Sequence, residues 1–216
     1  MFTILYEDHD LIVAIKPPAL VSESTTSGDG FADKIAEHCS QDYVGVVHRL
    51  DRGVGGVMVY AKNKSAAAAL SRAIIDRSFE KEYLAVVHGN VTPDEGEYVD
   101  LLFHDRAKNK TFVTDRVRGG VKEARLTYRV IEERASSAGD ISLVSVRLLT
   151  GRTHQIRVQF SSRRHPLVGD RKYGAPAGAH GIRLFCRQIA FPHPKDGRRL
   201  CFSAEPEQVC EEFLML

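Results

Sequence analysis

The sequence predicts a fold of the α+β class, in which a central, mostly antiparallel mixed sheet is flanked by helices and loops. Two observations support this prediction. Short apolar runs of strand length are joined by hairpins more often than by helices. In a parallel α/β fold, by contrast, strands and helices alternate regularly along the chain. The chain has 216 residues, which is long enough to bury a substantial core. No internal repeat or long low-complexity linker interrupts it, so we expect one domain over residues 1–216.

Strand and helix patterns follow one another in the first half of the chain. Apolar positions on both sides of the polar turn Asp8-His9-Asp10 predict a β-hairpin. Asn63 or Ser65 is suited to cap a helix that ends near Arg77. The complete set of elements predicted here is strands at Thr3–Tyr6, Leu11–Ile15, Val44–Val47, Val57–Ala61 and Tyr83–Val87, and helices at Ala32–Cys39 and from Asn63 or Ser65 to Arg77.

The second half is richer in strand patterns and in loops. Thr153 is expected to cap a short helix on which His154 and Arg157 share one face. A mobile loop is predicted over Arg134–Asp140. The remaining elements are strands at Tyr98–Phe103, Leu126–Ile131 and Leu143–Leu149, a Gly/Ala/Pro loop at Gly174–Gly181, and an amphipathic helix at Val209–Leu214.

The charge of the chain is more informative in its distribution than in its sum. The net charge of +2 does not by itself indicate a nucleic-acid-binding protein. From Arg147 to Lys172, however, seven basic residues face the single acid Asp170, and such a segment is typical of phosphate contact. The alternative is a solvated face whose acidic partners come from elsewhere in the fold.

The remaining composition excludes several classes of protein. The four cysteines form no C-x-x-C pair and show no metal-ligand spacing with histidine, as expected of thiols in a reducing compartment. No leader pattern opens the sequence, and no apolar run approaches the roughly 20 residues that span a bilayer. We therefore expect a cytoplasmic monomer that is not attached to a membrane.

One carboxylate stands out as a candidate for catalysis. In the run VHRLDRGVGG, Asp51 follows a basic pair, His48 and Arg49, and precedes a glycine-rich turn. Cations nearby would keep a carboxylate ionised, and glycines allow the backbone to approach a bulky ligand. This arrangement suits a nucleophile or a base, although an aspartate in a turn after a strand is also a common structural residue.

Four further motifs, in order along the chain, give this run its meaning. They are the opening ILYEDHDLIVAIKPPALV, then FEKEYLAVV, then LTGRTHQIRV, and finally HPLVGDRKYG. Together with HRLD they resemble the RluA-type family of RNA pseudouridine synthases over nearly the whole chain. The chain departs from the pattern of that family in three segments. Val54, Gly55 and Gly56 replace Thr-Ser-Gly, Gln159 replaces a frequent histidine, and Leu184-Phe185-Cys186 replaces Leu-His-Ala.

The resemblance implies an enzyme that isomerises uridine to pseudouridine in structured RNA, either tRNA or rRNA. It implies a cleft across the sheet, in which Asp51, Tyr83 and Arg157 are catalytic and Arg157 is the charge partner of Asp51. The expected RNA contacts are Arg49, Lys81, Arg152 and His154. No cofactor or metal is expected, because the reaction needs no redox change or external acceptor. The family's N-terminal RNA-binding extension is expected to be missing, and Asp51 is either the nucleophile or a base at the 2′ position.

Other classes of function remain open from the residues alone. A non-catalytic RNA-binding protein with the same fold would explain the altered turn at Val54-Gly55, although it would not need a carboxylate in a positive groove. A glycoside hydrolase usually needs two carboxylates about 5–9 Å apart, whereas only Asp51 lies in a motif. A ribonuclease would use paired histidines, for which His48 and His154 make a weak case. Products from a uridine-containing transcript distinguish these classes.

Overall fold

The computed structural model describes residues 2–136, 139–177, 179–210 and 213. Within these ranges it contains eleven β-strands and three α-helices, which confirms the predicted α+β class. In chain order they are β1 (Ile4–Glu7), β2 (Leu11–Lys16), α1 (Phe31–Cys39), β3 (Gly45–Val46), β4 (Gly55–Ala61), α2 (Lys64–Ile75), β5 (Glu80–His88), β6 (Glu95–Asp105), β7 (Lys110–Val113), β8 (Val121–Ser136), β9 (Gly139–Leu148), α3 (Gln155–Ser162), β10 (Leu184–Pro192) and β11 (Arg199–Ser203).

The chain divides into two compact units. The first consists of residues 1–81 and 185–211, and the second of residues 82–184 and 212–216. The chain thus enters the second unit after Lys81 and returns to the first at Phe185. The expectation of one domain over residues 1–216 stays a prediction.

The first unit is built on four neighbouring strands in the order β1-β2-β4-β10, with β3 added to β4 and β11 to β10. Every residue of β2 and β4 is buried, which explains why both read as continuous apolar runs. The pairing of β4 with β10 is parallel, whereas β2 and β4 are antiparallel. The sheet of this unit is therefore mixed and mostly antiparallel, as predicted.

Gly56 allows β4 to lie against β10. Its φ angle is +137°, and a Cβ atom built there would lie 2.5 Å from both the backbone nitrogen and the carbonyl oxygen of Cys186. No side chain fits at that distance, so only glycine permits the parallel contact. The close contact between Gly56 and Cys186 fixes the position of β4, which begins four residues after Asp51.

The second unit is an antiparallel ladder in the order β5-β9-β8-β6-β7. Helix α3 packs on β6 and β7. Leu102, Ala124, Val158 and Tyr173 form a buried apolar cluster there. The ladder holds α3, which carries Arg157, against one of its faces.

Two of the expected elements differ from the structure, and a third lies partly outside the described residues. The segment expected to be a mobile loop contains the ends of β8 and β9, with Ala135 paired to Asp140 and Ser136 to Gly139, while residues 137–138 lie outside the described ranges. These strand ends are exposed, so apolar alternation could not reveal them. Thr153 is not a helix cap, because α3 begins after His154, whose φ angle is 55° and whose side chain makes no capping bond. Of the expected C-terminal helix, residues 211, 212 and 214 lie outside the described ranges.

Candidate active site

The turn that carries Asp51 is held by backbone and side-chain hydrogen bonds of the first unit. The Val54 amide donates to the Asp51 carbonyl at 2.9 Å and closes the turn. The Ser22 hydroxyl accepts from the Leu50 amide and donates to the Leu50 carbonyl, both at 2.9 Å. Val54 is buried, so at this position the turn gains apolar packing in place of the family's threonine hydroxyl. The backbone on both sides of Asp51 is therefore fixed.

Lys16 is a cation close to Asp51 in the same unit. Its side chain is fully buried, and its Nζ donates to the carbonyls of Pro17 at 2.9 Å and Leu20 at 2.8 Å. Burial lowers the pKa of Lys16 to about 8, and the negative charge of Asp51 opposes this shift. Lys16 thus stays mostly charged at neutral pH and places a positive charge close to the Asp51 side chain.

His48 does not contribute positive charge, contrary to the expectation of a basic His48-Arg49 pair. Its Nε2 accepts from the Val59 amide at 3.1 Å, so the proton of the neutral ring lies on Nδ1. Burial, together with the positive charge of Lys81, lowers the pKa of His48 to about 3. The ring packs against Phe79 with the centroids 5.2 Å apart. His48 is therefore a neutral anchor between the Asp51 turn and β4.

This neutral histidine predicts a pH dependence of stability. Below pH 6.5 the unfolded chain protonates His48, whereas the folded chain does so only near pH 3. Within that window this group should lower the free energy of unfolding by up to about 1.4 kcal/mol per pH unit as the pH falls. His48→Gln should flatten the dependence measured by urea unfolding between pH 4 and 7. The control His9→Gln, at a side chain that is 93% exposed, should not change it, and parallel profiles for all three proteins would refute the assignment.

Arg49 and Lys81, two of the expected RNA contacts, lie in different surroundings. Arg49 is exposed and its Nη1 lies 2.8 Å from Glu23 Oε1, in an ion pair that solvent screens. Lys81 is half-buried at the start of β5, and burial lowers its pKa. A role of either residue in binding RNA stays a prediction.

In the second unit, Arg157 forms a two-pronged ion pair with Asp170. Nε lies 2.6 Å from Asp170 Oδ2 and Nη2 lies 2.8 Å from Oδ1, and both side chains are buried. The guanidinium also lies 5.1 Å from the centre of the Tyr173 ring. Sequence reasoning treated Asp170 only as the one acid of a basic segment, although the HPLVGDRKYG motif contains both Asp170 and Tyr173. The expected partnership of Arg157 with Asp51 stays a prediction.

Tyr83, the third expected catalytic residue, is buried on β5 opposite Val146 of β9. His154 is buried before α3, and its Nδ1 lies 2.9 Å from the Tyr173 hydroxyl, which also accepts from the Thr111 amide. The Tyr173 hydroxyl therefore links the ring of His154 to the backbone of β7. This contact favours a structural role for His154, which was the alternative that its sequence pattern left open.

Other members of the basic segment from Arg147 to Lys172 are also held by the protein. Arg163 Nη1 lies 2.9 Å from Asp100 Oδ2, and its guanidinium lies 3.9 Å from the centre of the Tyr98 ring. Lys172 Nζ donates to the Asn109 carbonyl at 3.0 Å, and Arg152 Nε donates to the Glu123 carbonyl at 2.8 Å. The expectation that this segment is a one-sign surface is therefore wrong for Arg163, because its acidic partner comes from β6.

Asp8, Asp10 and His193 are the one group in the described ranges with metal-ligand types close together, each offering an atom within 4.8 Å of the others. Asp8 Oδ1 already accepts from the Asp10 and Leu11 amides. Its Oδ2 accepts from the Tyr6 hydroxyl and lies 2.8 Å from His193 Nε2. These bonds explain why the three residues lie together. Asp8 and Asp10 belong to the polar turn of the first hairpin, and His193 contacts Asp8.

Comparison with known proteins identifies the family. The family model described as RNA pseudouridylate synthase matches residues 10–162. An uncharacterized RNA pseudouridine synthase of Aquifex aeolicus is 35% identical over 94% of this chain and 68% of its own length. Ribosomal large subunit pseudouridine synthase D of Vibrio cholerae is 36% identical over 99% of this chain and 70% of its own length. The solved human RNA pseudouridylate synthase domain containing 4 has the same fold, with a TM-score of 0.76 at 24% identity over 98% of this chain and 90% of its own.

The chain therefore belongs to the RNA pseudouridylate synthase family. It is an RNA pseudouridine synthase, an isomerase that converts uridine in RNA to pseudouridine. The resemblance to the RluA-type enzymes is thereby confirmed. None of the helices in the described part of the chain is long and apolar enough to cross a bilayer.

Proposed function

We propose that this enzyme isomerises a uridine in the RNA of the large ribosomal subunit, acting as a cytoplasmic monomer, and that Asp51 is its catalytic carboxylate. The names of relatives support the choice of RNA, since those of Vibrio vulnificus, Zymomonas mobilis and Vibrio cholerae, at 35%, 32% and 36% identity, are ribosomal large subunit pseudouridine synthases. A tRNA uridine is the alternative, which the RluA-type motifs also allow.

The reaction needs little from the protein beyond a positioned carboxylate. The bond between N1 and C1′ breaks, the base turns, and a bond between C5 and C1′ forms. The proton leaves C5, N1 regains one, and no co-reactant is consumed. Asp51 is the nucleophile at C1′ or the base at the 2′ position. The observation that carries this assignment is the anchored turn with the buried Lys16 beside it, which fixes the backbone next to Asp51 and places a cation close to its carboxyl group.

Tyr83 and Arg157 complete the proposed set of catalytic residues. Tyr83 supplies a flat ring for the uracil and a hydroxyl for the exchange of the C5 proton. Arg157 supplies a permanent charge that favours the ionised carboxylate, because a guanidinium stays protonated at any pH of interest. The proposed RNA contacts are Arg49, Lys81 and Arg152, whereas His154 is proposed to have a structural role because its ring contacts the Tyr173 hydroxyl. No cofactor or metal is proposed.

Removal of the Tyr83 hydroxyl should separate its two roles. Tyr83→Phe keeps the ring, so we expect the Kd for RNA to change by less than about threefold. Rearrangement of the base should stall after glycosidic cleavage, which lowers turnover by about a hundredfold or more. Single-turnover assays that follow both cleavage and pseudouridine formation measure this. Unchanged turnover would leave Tyr83 with a packing or stacking role only.

The RNA target can be tested in cells with and without the gene for this chain. Pseudouridines are mapped in ribosomal RNA and in tRNA from both. We expect the loss of at least one pseudouridine from the large-subunit RNA, and its return when the gene is restored. A loss confined to tRNA would contradict the proposed target. If no pseudouridine is lost from either RNA, both the ribosomal target and the alternative tRNA target would be contradicted.

A further inference from the structure

Glu23 is a carboxylate beside the active-site turn (residues 48–54) to which the proposed function gives no role. It lies in the polar loop between β2 and α1, and its Oε1 atom is 2.8 Å from Nη1 of Arg49. Arg49 stands two residues before Asp51 in the chain. Among the residues that the structure describes, Glu23 is the one carboxylate that Arg49 contacts. The enzyme therefore neutralises, in the absence of RNA, a cation that is proposed to bind RNA.

The backbone of Glu23 is fixed between the active-site turn and helix α1. The Ser22 side chain is fully buried and bridges the amide and the carbonyl of Leu50, while the Ser22 carbonyl accepts from the Tyr60 hydroxyl at 2.9 Å. At Gly30 a Cβ atom would lie 1.9 Å from the carbonyl oxygen of Glu23, so only glycine allows α1 to begin this close. The Glu23 side chain therefore starts from a fixed point beside the active-site turn.

The ion pair of Glu23 and Arg49 is open to solvent and can be exchanged. The two side chains are 45% and 67% exposed, respectively, and one oxygen contacts one nitrogen. The pair of Arg157 and Asp170 differs, because it is two-pronged and buried. A phosphate can bind a guanidinium through two parallel hydrogen bonds. A phosphate of the RNA is therefore able to replace the carboxylate of Glu23.

Arg49 and Asp51 are placed to meet the same short stretch of RNA. Leu50 between them is buried, whereas Arg49 is exposed and Asp51 is half-buried. Two residues of chain span at most about 7 Å. When Asp51 is at the ribose of the reacting uridine, the long side chain of Arg49 is within reach of a phosphate of that nucleotide or its neighbour.

We propose that Glu23 is a positioning residue that competes with a phosphate of the substrate RNA for Arg49. Without RNA, Glu23 holds the guanidinium at the active-site turn. In the complex the phosphate takes the guanidinium, and the Glu23 carboxylate returns to solvent. Removal of a competitor tightens RNA binding, whereas removal of a purely structural contact leaves binding unchanged or weakens it. The inference rests on the proposed contact of Arg49 with RNA.

Glu23→Gln tests the competition, because the amide keeps the size of the side chain but not its charge. We expect Kd and KM for a transcript that the parent enzyme modifies to fall about threefold, which is within the range of an exposed ion pair. The difference from the parent should shrink as salt is added, since salt screens exposed charges. Glu37→Gln is the matched control, because Glu37 is an exposed glutamate of α1 in the same unit. It should bind as the parent does.

The double variant Glu23→Gln/Arg49→Gln isolates the contact between the two side chains. Arg49→Gln alone should weaken binding about threefold or more, because it removes a phosphate contact. In that background Glu23→Gln should tighten binding no more than Glu37→Gln does, since no guanidinium remains to be released. Thermal unfolding of each variant verifies that the folded population is unchanged.

The outcomes distinguish this inference from the proposed function. Unchanged or weaker binding by Glu23→Gln, while Arg49→Gln binds more weakly than the parent, would overturn the competition and leave the RNA contact of Arg49 in place. Unchanged binding by Arg49→Gln would contradict that contact and the inference with it. A parent enzyme that modifies only tRNA would contradict the ribosomal target alone, and the variants are then measured on that tRNA by the same criteria.

Discussion

Asp51→Asn should abolish isomerisation while the enzyme still binds RNA. The amide has nearly the same size as the carboxylate, but it cannot attack C1′ or remove a proton. We expect pseudouridine formation to fall by about a thousandfold or more, which corresponds to about 4 kcal/mol of transition-state stabilisation. The Kd for RNA should stay within about threefold of the parent. The measurement is the single-turnover rate with a transcript that the parent enzyme modifies.

Asp42→Asn is the matched control for this variant, because Asp42 is an exposed aspartate of the same unit. It should react at the rate of the parent. Retention of at least one tenth of the parent activity by Asp51→Asn would refute its assignment, since the barrier would then have changed by no more than about 1.4 kcal/mol.

Arg157→Ala should be almost as inactive as Asp51→Asn and should also be less stable. The substitution leaves the buried carboxylate of Asp170 without its two-pronged partner. Breaking such a pair typically lowers the free energy of unfolding by about 3–5 kcal/mol. Arg157→Lys should be intermediate, because it retains a charge but cannot bind both oxygens. Urea unfolding and single-turnover rates measure the two effects separately.

Asp170→Asn distinguishes a structural from a catalytic role of Arg157. It weakens the same ion pair but leaves the guanidinium in the protein. If Arg157 also favours the reactive carboxylate, Asp170→Asn should lose much less activity than Arg157→Ala, assayed where each variant is fully folded. The double variant Asp51→Asn/Arg157→Ala should then be little worse than either single variant, since residues that act as a unit are not additive. Fully additive losses would mean that Arg157 acts independently of Asp51.

Strands β2 and β4 and helix α2 could be predicted because local signals coincide with tertiary burial. Both strands are entirely buried and read as apolar runs, and Asn63 caps α2 by accepting from the Ala66 amide at 2.8 Å. The strands β7 and β11 were missed, since more than half of their residues are exposed or half-buried and no apolar run marks them. Strand β10 was also missed, although most of its residues are buried. Its parallel neighbour β4 is far away in sequence.

The residue types of the site were predictable, but their partners were not. The motifs identified Asp51 and Arg157 as charged groups of one family pattern. They did not show that Lys16 lies near Asp51, or that Asp170 binds Arg157, because tertiary folding brings these residues together. Nor did they show that burial keeps His48 neutral. The sequence shows which residues can be charged, but burial in the folded protein decides whether a residue such as His48 is charged.

The most direct test is the amount of pseudouridine that the purified chain forms in a transcript of large-subunit ribosomal RNA. The reaction contains a chelator and no added cofactor, and the nucleosides are separated by chromatography after digestion. We predict that pseudouridine rises with time to about one per transcript at a single uridine, and that Asp51→Asn forms none above background. No pseudouridine from the parent enzyme in this RNA, or equal amounts from the parent and Asp51→Asn, would contradict the proposal that Asp51 isomerises a ribosomal uridine.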